Sequence, residues 1–285
     1  MNVGKRSPVA LEMKRDKAGN GFLPVEPDGD RTAYNRDMVI LVHGFNNDRE
    51  SAQQVYDNFL AHYRRGGVPE RYLRRIVPFF WPAYRDWWPR AASYSVMIGD
   101  TIAAAAVLRN FLSLHFREYP RAQVTFVAHS LGCRLVLEAL AGLISSNNEG
   151  RRQIRHSCLL AAAVPVNAFA LPAGQLAGLL GSTLSFSGIA SKGDLTLATL
   201  FRFGGWLSVD GTASPAVGYA GLPDALWTEP CEHLKIGHKQ YWANSRVAEK
   251  VAGKIGIPVA RNFAVNGFFT TERAVNRLSS RKIGQ

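Results

Sequence analysis

Val124-Thr125-Phe126-Val127-Ala128-His129-Ser130-Leu131-Gly132 decides the reading of this chain. It is an apolar run with β-branched residues that ends in small-x-Ser-x-Gly. Leu135, Val136, Leu137, Ala139, Leu140 and Leu143 then follow in a helical pattern. Strand, Ser between small residues, then helix is the layout of a sharp elbow that lifts a Ser hydroxyl out of a sheet. Such a turn brings strand and helix close at the residues two before and two after the Ser, which predicts small side chains there: Ala128 and Gly132. Ala in place of the more usual Gly adds only a methyl group. The turn also predicts a strained Ser backbone, and a Ser hydroxyl is a weak nucleophile unless its site activates it.

A second segment works with the first. Met38-Val39-Ile40-Leu41-Val42 reads as a buried strand, and His43-Gly44-Phe45-Asn46-Asn47 follows it. Read alone, that sequence is equally a surface turn after a core strand with an incidental His. Together with the elbow, the two motifs resemble the α/β-hydrolases, in a bacterial branch that carries His-Gly-Phe-Asn and Ala-His-Ser-Leu-Gly. The resemblance implies a doubly wound, mostly parallel α/β sheet with Ser130 as nucleophile. It implies an oxyanion hole formed by the main-chain N–H groups of Phe45 and Leu131, two preorganised donors for the negative oxygen of a tetrahedral intermediate. Gly44 lets the backbone approach closely.

In this family the acid and then the base follow the nucleophile along the chain. His238, in Ile236-Gly237-His238-Lys239, matches the loop after the last strand, with His233 as its rival. The acid is expected at a turn just past a strand. Asp194, in Lys192-Gly193-Asp194 after the run Leu184–Ser191, is favoured over Asp210 and Asp224, which sit in Gly- and Pro-rich sequence. Its role would be to orient the imidazole and stabilise the imidazolium. His129, the variable elbow position, is expected beside the site and is counted with the substrate-contacting residues.

Composition bounds the rest. A chain of 285 residues, 47% hydrophobic and 20% charged, can bury a full core. The net charge of +12 suggests an anionic partner, such as a membrane surface. No nucleic-acid-binding motif accompanies the arginine clusters, so nucleic acid is disfavoured. Cys133, Cys158 and Cys231 are widely spaced and form neither a metal pattern nor a disulfide framework. No metal or organic cofactor is expected. The N-terminus lacks the apolar stretch of a secretory signal. Pro165, Asn167, Pro172 and Gln175 argue against a membrane span in the uncharged run 156–191. Cytoplasmic synthesis is expected, with non-classical export open.

The pass along the chain predicts an N-terminal edge segment (1–37), a catalytic domain (38–254) and a basic C-terminal extension (255–285). Helices are expected near 49–64, 93–116, 131–144, 195–203 and 240–254. Strands are expected at 75–80, 158–164, 184–191 and 232–237, with an apolar excursion over the site at 165–183. The loop bearing Trp81, Tyr84, Trp87 and Trp88 would line an acyl pocket or dip into lipid, or else pack as a capped apolar loop. Taken with the resemblance, these features imply hydrolysis of a lipid or medium-chain acyl ester. An acyltransferase with the same residues and a non-catalytic binding scaffold are the alternatives. Oligomeric state is left open.

Overall fold

The computed structural model describes residues 10–19, 21–29, 37–84, 90–146, 149–170, 174–201 and 213–258. The described strands are β1 (Ala10–Glu12), β2 (Glu26–Asp28), β3 (Met38–Val42), β4 (Ile76–Phe80), β5 (Val124–His129), β6 (Ile154–Leu160), β7 (Phe186–Ser191) and β8 (Glu232–Leu234). They form one sheet in the order β2-β1-β4-β3-β5-β6-β7-β8. β2 pairs antiparallel with β1, and every other pairing is parallel. β3 and β5 are buried at every position, as parallel strands covered on both faces must be.

The described helices are α1 (Arg49–Arg65), α2 (Glu70–Leu73), α3 (Arg90–Glu118), α4 (Leu131–Ser145), α5 (Val217–Ala220) and α6 (Ser245–Lys254). They divide the core in two. α1 and α6 cover one face, burying Tyr56, Phe59, Tyr63, Val247 and Val251. α3 and α4 cover the other, burying Leu108, Leu112, Leu135 and Leu140. Full burial of a side chain such as Phe59 removes apolar surface worth roughly 1.5–3 kcal/mol from water. The chain leaves β3 toward β4 and leaves β5 toward β6, in opposite directions across the sheet. The crevice between the C-terminal ends of β3 and β5 is therefore the switch point where such sheets bind ligands.

Several boundaries differ from the sequence reading. β6 spans Ile154–Leu160, not 158–164, because pairing with β5 sets its register from Ile154 opposite Val124. It accommodates His156 because the ring nitrogens lie 2.7 and 2.8 Å from the hydroxyls of Ser185 and Ser187. Ala161, at φ 48°, then turns the chain out of the sheet. The helix expected over 240–254 is two elements, a 3-10 turn at His238–Ala243 and α6, separated at Asn244. The Asn244 side chain caps α6 by accepting from Arg246 N and Val247 N.

The 165–183 excursion is the crossover from β6 to β7, and it runs down the flank of α4. Gln175 bonds Glu138 at 2.8 Å, and Gly178 and Leu180 border a shallow depression with Ile144 and Arg151 at the far end of that helix. Residues 171–173 of the excursion lie outside the described residues. β1 and β2 join the main sheet, and Ile255 and Ile257 are buried in the core, so the fold reaches past both ends of 38–254. The 23-residue stretch Val96–Glu118 of α3 is long and apolar enough to cross a membrane by length and composition. Its buried side packs against the α4 layer through Met97, Ala104, Leu108 and Phe116.

Candidate active site

Ser130 follows β5 at φ 54° and ψ −122°, a left-handed backbone that L-residues avoid. Hydrogen bonds hold it there. Its N–H donates to Leu160 O at 2.9 Å, and its carbonyl accepts from Cys133 N and Ala163 N at 3.0 and 3.1 Å. Gly132 is needed at this turn, but not because of its own strand. A Cβ there would stand 2.4 Å from His43 O and 2.7 Å from Val42 O, so the close approach is between α4 and the end of β3.

Ser130 Oγ lies 2.9 Å from His238 Nε2, and His238 Nδ1 lies 2.7 Å from Asp194 Oδ2. Asp194 is fully buried. Its other oxygen accepts from Leu197 N at 3.0 Å, so one oxygen is held by the turn after β7 and the other by the imidazole. An imidazole with a carboxylate on Nδ1 and a hydroxyl on Nε2 is oriented to take a proton from that hydroxyl.

The loop after β3, His43-Gly44-Phe45, presses on the elbow: a Cβ on Gly44 would be 2.8 Å from Ser130 Cβ. Among the described residues, the N–H groups of Phe45 and Leu131 donate to no protein acceptor. Leu131 also opens α4, where free amides and the helix dipole favour an anion.

A family model described as alpha/beta hydrolase of unknown function (DUF900) matches residues 30–199, which include β3, the elbow and Asp194. The chain belongs to the DUF900 family of alpha/beta hydrolases. No curated protein matches it. Among solved structures, the lin2722 product of Listeria innocua is similar at 10% identity and TM-score 0.44, over 76% of this chain and 92% of that one. Bacillus licheniformis lipase BlEst2 is similar at 15% identity and TM-score 0.41, over 78% and 92%. TT1662 of Thermus thermophilus is similar at 12% identity and TM-score 0.45, over 86% and 97%.

Several sequence-singled residues of this DUF900 hydrolase have other employment. Trp81 does not stand at a rim. It is 3% exposed, its indole donates to His43 O at 2.9 Å, and its ring stacks on the His43 ring at 5.8 Å. His43, incidental only on the surface-turn reading, is a buried strut. Burial lowers its pKa to about 4, leaving a neutral ring. Its Nδ1 lies 3.0 Å from Gly44 O, and its Nε2 accepts from Trp81 N at 3.4 Å. Its own N–H donates to the Tyr56 hydroxyl at 2.8 Å.

His129 is buried with Nε2 engaged 3.0 Å from the His238 carbonyl, so that nitrogen is turned to the protein rather than to a substrate. Tyr84 is 40% exposed. Trp87, Trp88 and Asp210 lie outside the described residues. His233 is exposed on edge strand β8, and Asp224 opens a 3-10 turn. Neither takes the partner positions that Asp194 and His238 occupy.

Sequence reasoning gave Ser191 no role of its own. Fully buried at the end of β7, its hydroxyl donates to Ile236 O at 2.7 Å and accepts from Ile236 N and Gly193 N, both at 3.1 Å. It clips the turn bearing Asp194 to the loop bearing His238. Its place three residues before Asp194 was the signal in the sequence.

Burial raises the pKa of all three thiols: Cys133 well up, Cys158 to about 12 and Cys231 to about 11. None is a thiolate at neutral pH. Among the described residues, no group of three or more His, Cys, Asp or Glu side chains could hold a metal ion.

Proposed function

We propose that this hydrolase cleaves carboxylic esters of lipid or medium-chain acyl type through a Ser130 acyl-enzyme. The observation that carries the reading is the continuous hydrogen-bond chain Ser130–His238–Asp194 at the switch point of the sheet. Ser130 Oγ attacks the ester carbonyl carbon while His238 Nε2 takes its proton. The carbonyl oxygen becomes an oxyanion facing the Phe45 and Leu131 amides. Collapse of the tetrahedral intermediate breaks the bond to the alcohol oxygen, which receives the proton from His238. Water, deprotonated by His238, then attacks the acyl-enzyme, and the acid leaves with Ser130 restored. Asp194 keeps the imidazole in the tautomer that accepts at Nε2 and stabilises its charged form.

Aromatic surroundings support an apolar acyl group. Phe45 meets Tyr94 edge-on at 5.4 Å, and Tyr94 meets Phe201 at 6.4 Å. Leu195, next to Asp194, is 72% exposed. The charge of +12 supports delivery of such esters on anionic surfaces.

The test is a panel of p-nitrophenyl esters from acetyl to dodecanoyl, with phospholipid vesicles and a fluorophosphonate probe. Wild type is expected to label and to turn over the longer esters. Ser130→Ala should lose labelling and at least about 10⁴-fold in kcat/KM. Absence of labelling in wild type, or equal labelling of Ser130→Ala, would overturn the reading.

A further inference from the structure

Ser130 and His238 come from strands that do not touch, since β6 and β7 lie between β5 and β8. β8 is a three-residue edge strand and is a weak anchor for the loop that follows it. Two of the side-chain bonds on that loop reach it from the β7 side: Asp194 binds the His238 ring, and Ser191 binds the main chain of Ile236. Both lie on the far side of His238 from the elbow. Held from that side alone, the loop could swing about them and carry the imidazole away from Ser130 without breaking either contact.

A third bond comes from the elbow itself. His129, the last residue of β5 and 7% exposed, places Nε2 3.0 Å from the His238 main-chain oxygen. Its ring packs 4.9 Å from the His238 ring, 5.5 Å from Tyr241 and 6.0 Å from Trp242. On the other side, a Cβ on Gly44 would lie 3.1 Å from His129 Nδ1, so the loop after β3 rests against the same ring. Burial and the neighbouring His238 keep His129 neutral. A neutral imidazole has one N–H, and a carbonyl partner assigns it to Nε2.

We propose that His129 is a positioning residue. Its Nε2–H ties the His238 loop to the elbow strand, fixing the imidazole across the gap that β6 and β7 impose. The proposal rests on the ester-hydrolase reading for its kinetic consequence, but the bond itself does not.

The test compares His129→Leu, which fills the space without a donor, with His129→Gln, whose amide nitrogen reaches as far as Nε2. His129→Leu is expected to lower both kcat on p-nitrophenyl butyrate and the rate of fluorophosphonate labelling by roughly ten- to a hundred-fold, as small misplacements do. KM should stay within about twofold of wild type, and His129→Gln should recover most of the loss. Unchanged rates in His129→Leu, or equal losses in both variants, would overturn the proposal.

If His129→Leu does not melt cooperatively, His129→Asn replaces it, because its shorter amide falls short of the carbonyl; Asn performing as well as Gln is then the contrary result. If wild type neither labels nor turns over ester, the function reading fails on its own. Amide hydrogen-exchange protection in the His238 loop still decides the positioning: it is expected in wild type and His129→Gln and lost in His129→Leu. Its persistence in His129→Leu would refute the tie.

Discussion

At the residue scale, strain is concentrated at Ser130. A left-handed non-Gly backbone costs of order 1–3 kcal/mol and persists only where the surroundings over-determine it. Here the bonds to Leu160, Cys133 and Ala163 do so. Gly44 is the complementary position, since any side chain there collides with Ser130 Cβ and nears His129 O. Gly44→Ala is therefore expected to push the His43-Gly44-Phe45 loop outward and, on the proposed function, to lower kcat by about 10²-fold. Because Gly44 is buried, the urea midpoint is expected to fall as well. Unaltered ester kinetics in Gly44→Ala would contradict the close approach. Ser130, His238 and Asp194 were legible in the sequence because motif and chain order select them. His43 and Ser191 were not, because their partners, Trp81 and Ile236, are distant in the chain.

At the element scale, the site depends on loops more than on strands. Ser191 joins the turn after β7 to the loop after β8 through a single hydroxyl. Ser191→Ala leaves Ile236 O, Ile236 N and Gly193 N without that partner. A buried group left unpaired costs about 1–3 kcal/mol, so the urea midpoint is expected to fall by a measurable step and kcat with it. A variant as stable and as active as wild type would mean the clip is redundant. Element existence was readable from apolar runs and helical spacing, but ends were not. The apolar run at 158–164 suggested a strand, while pairing with β5 places it four residues earlier and lets His156 sit among Ser hydroxyls. Asn244 divides what periodicity joins.

At the scale of the whole molecule, buried histidines link stability to pH. His43, His115 and His156 have pKa values lowered to about 4, burial being the largest cause in each. The unfolded chain, with histidines near 6.5, binds protons that the native state refuses. Stability is therefore full above about pH 6.5 and falls as pH drops toward 4. Urea midpoints should decline between pH 7.5 and 5, before most carboxylates titrate. His43→Gln should flatten that decline by about one proton. Coincident midpoints across that range would show that these rings are not held neutral.

The sequence by itself determined the class of sheet and the strand–Ser–helix elbow. These rest on local patterns: apolar runs, helical spacing and small residues beside Ser130. Only the tertiary structure decided what surrounds them. It turned Trp81 and His43 into a strut, Ser191 and His129 into ties, and the 165–183 excursion into a crossover against α4. The reason is physical. A side chain's role depends on which main-chain groups are brought within hydrogen-bonding distance, and here those groups come from strands and loops far apart in the chain.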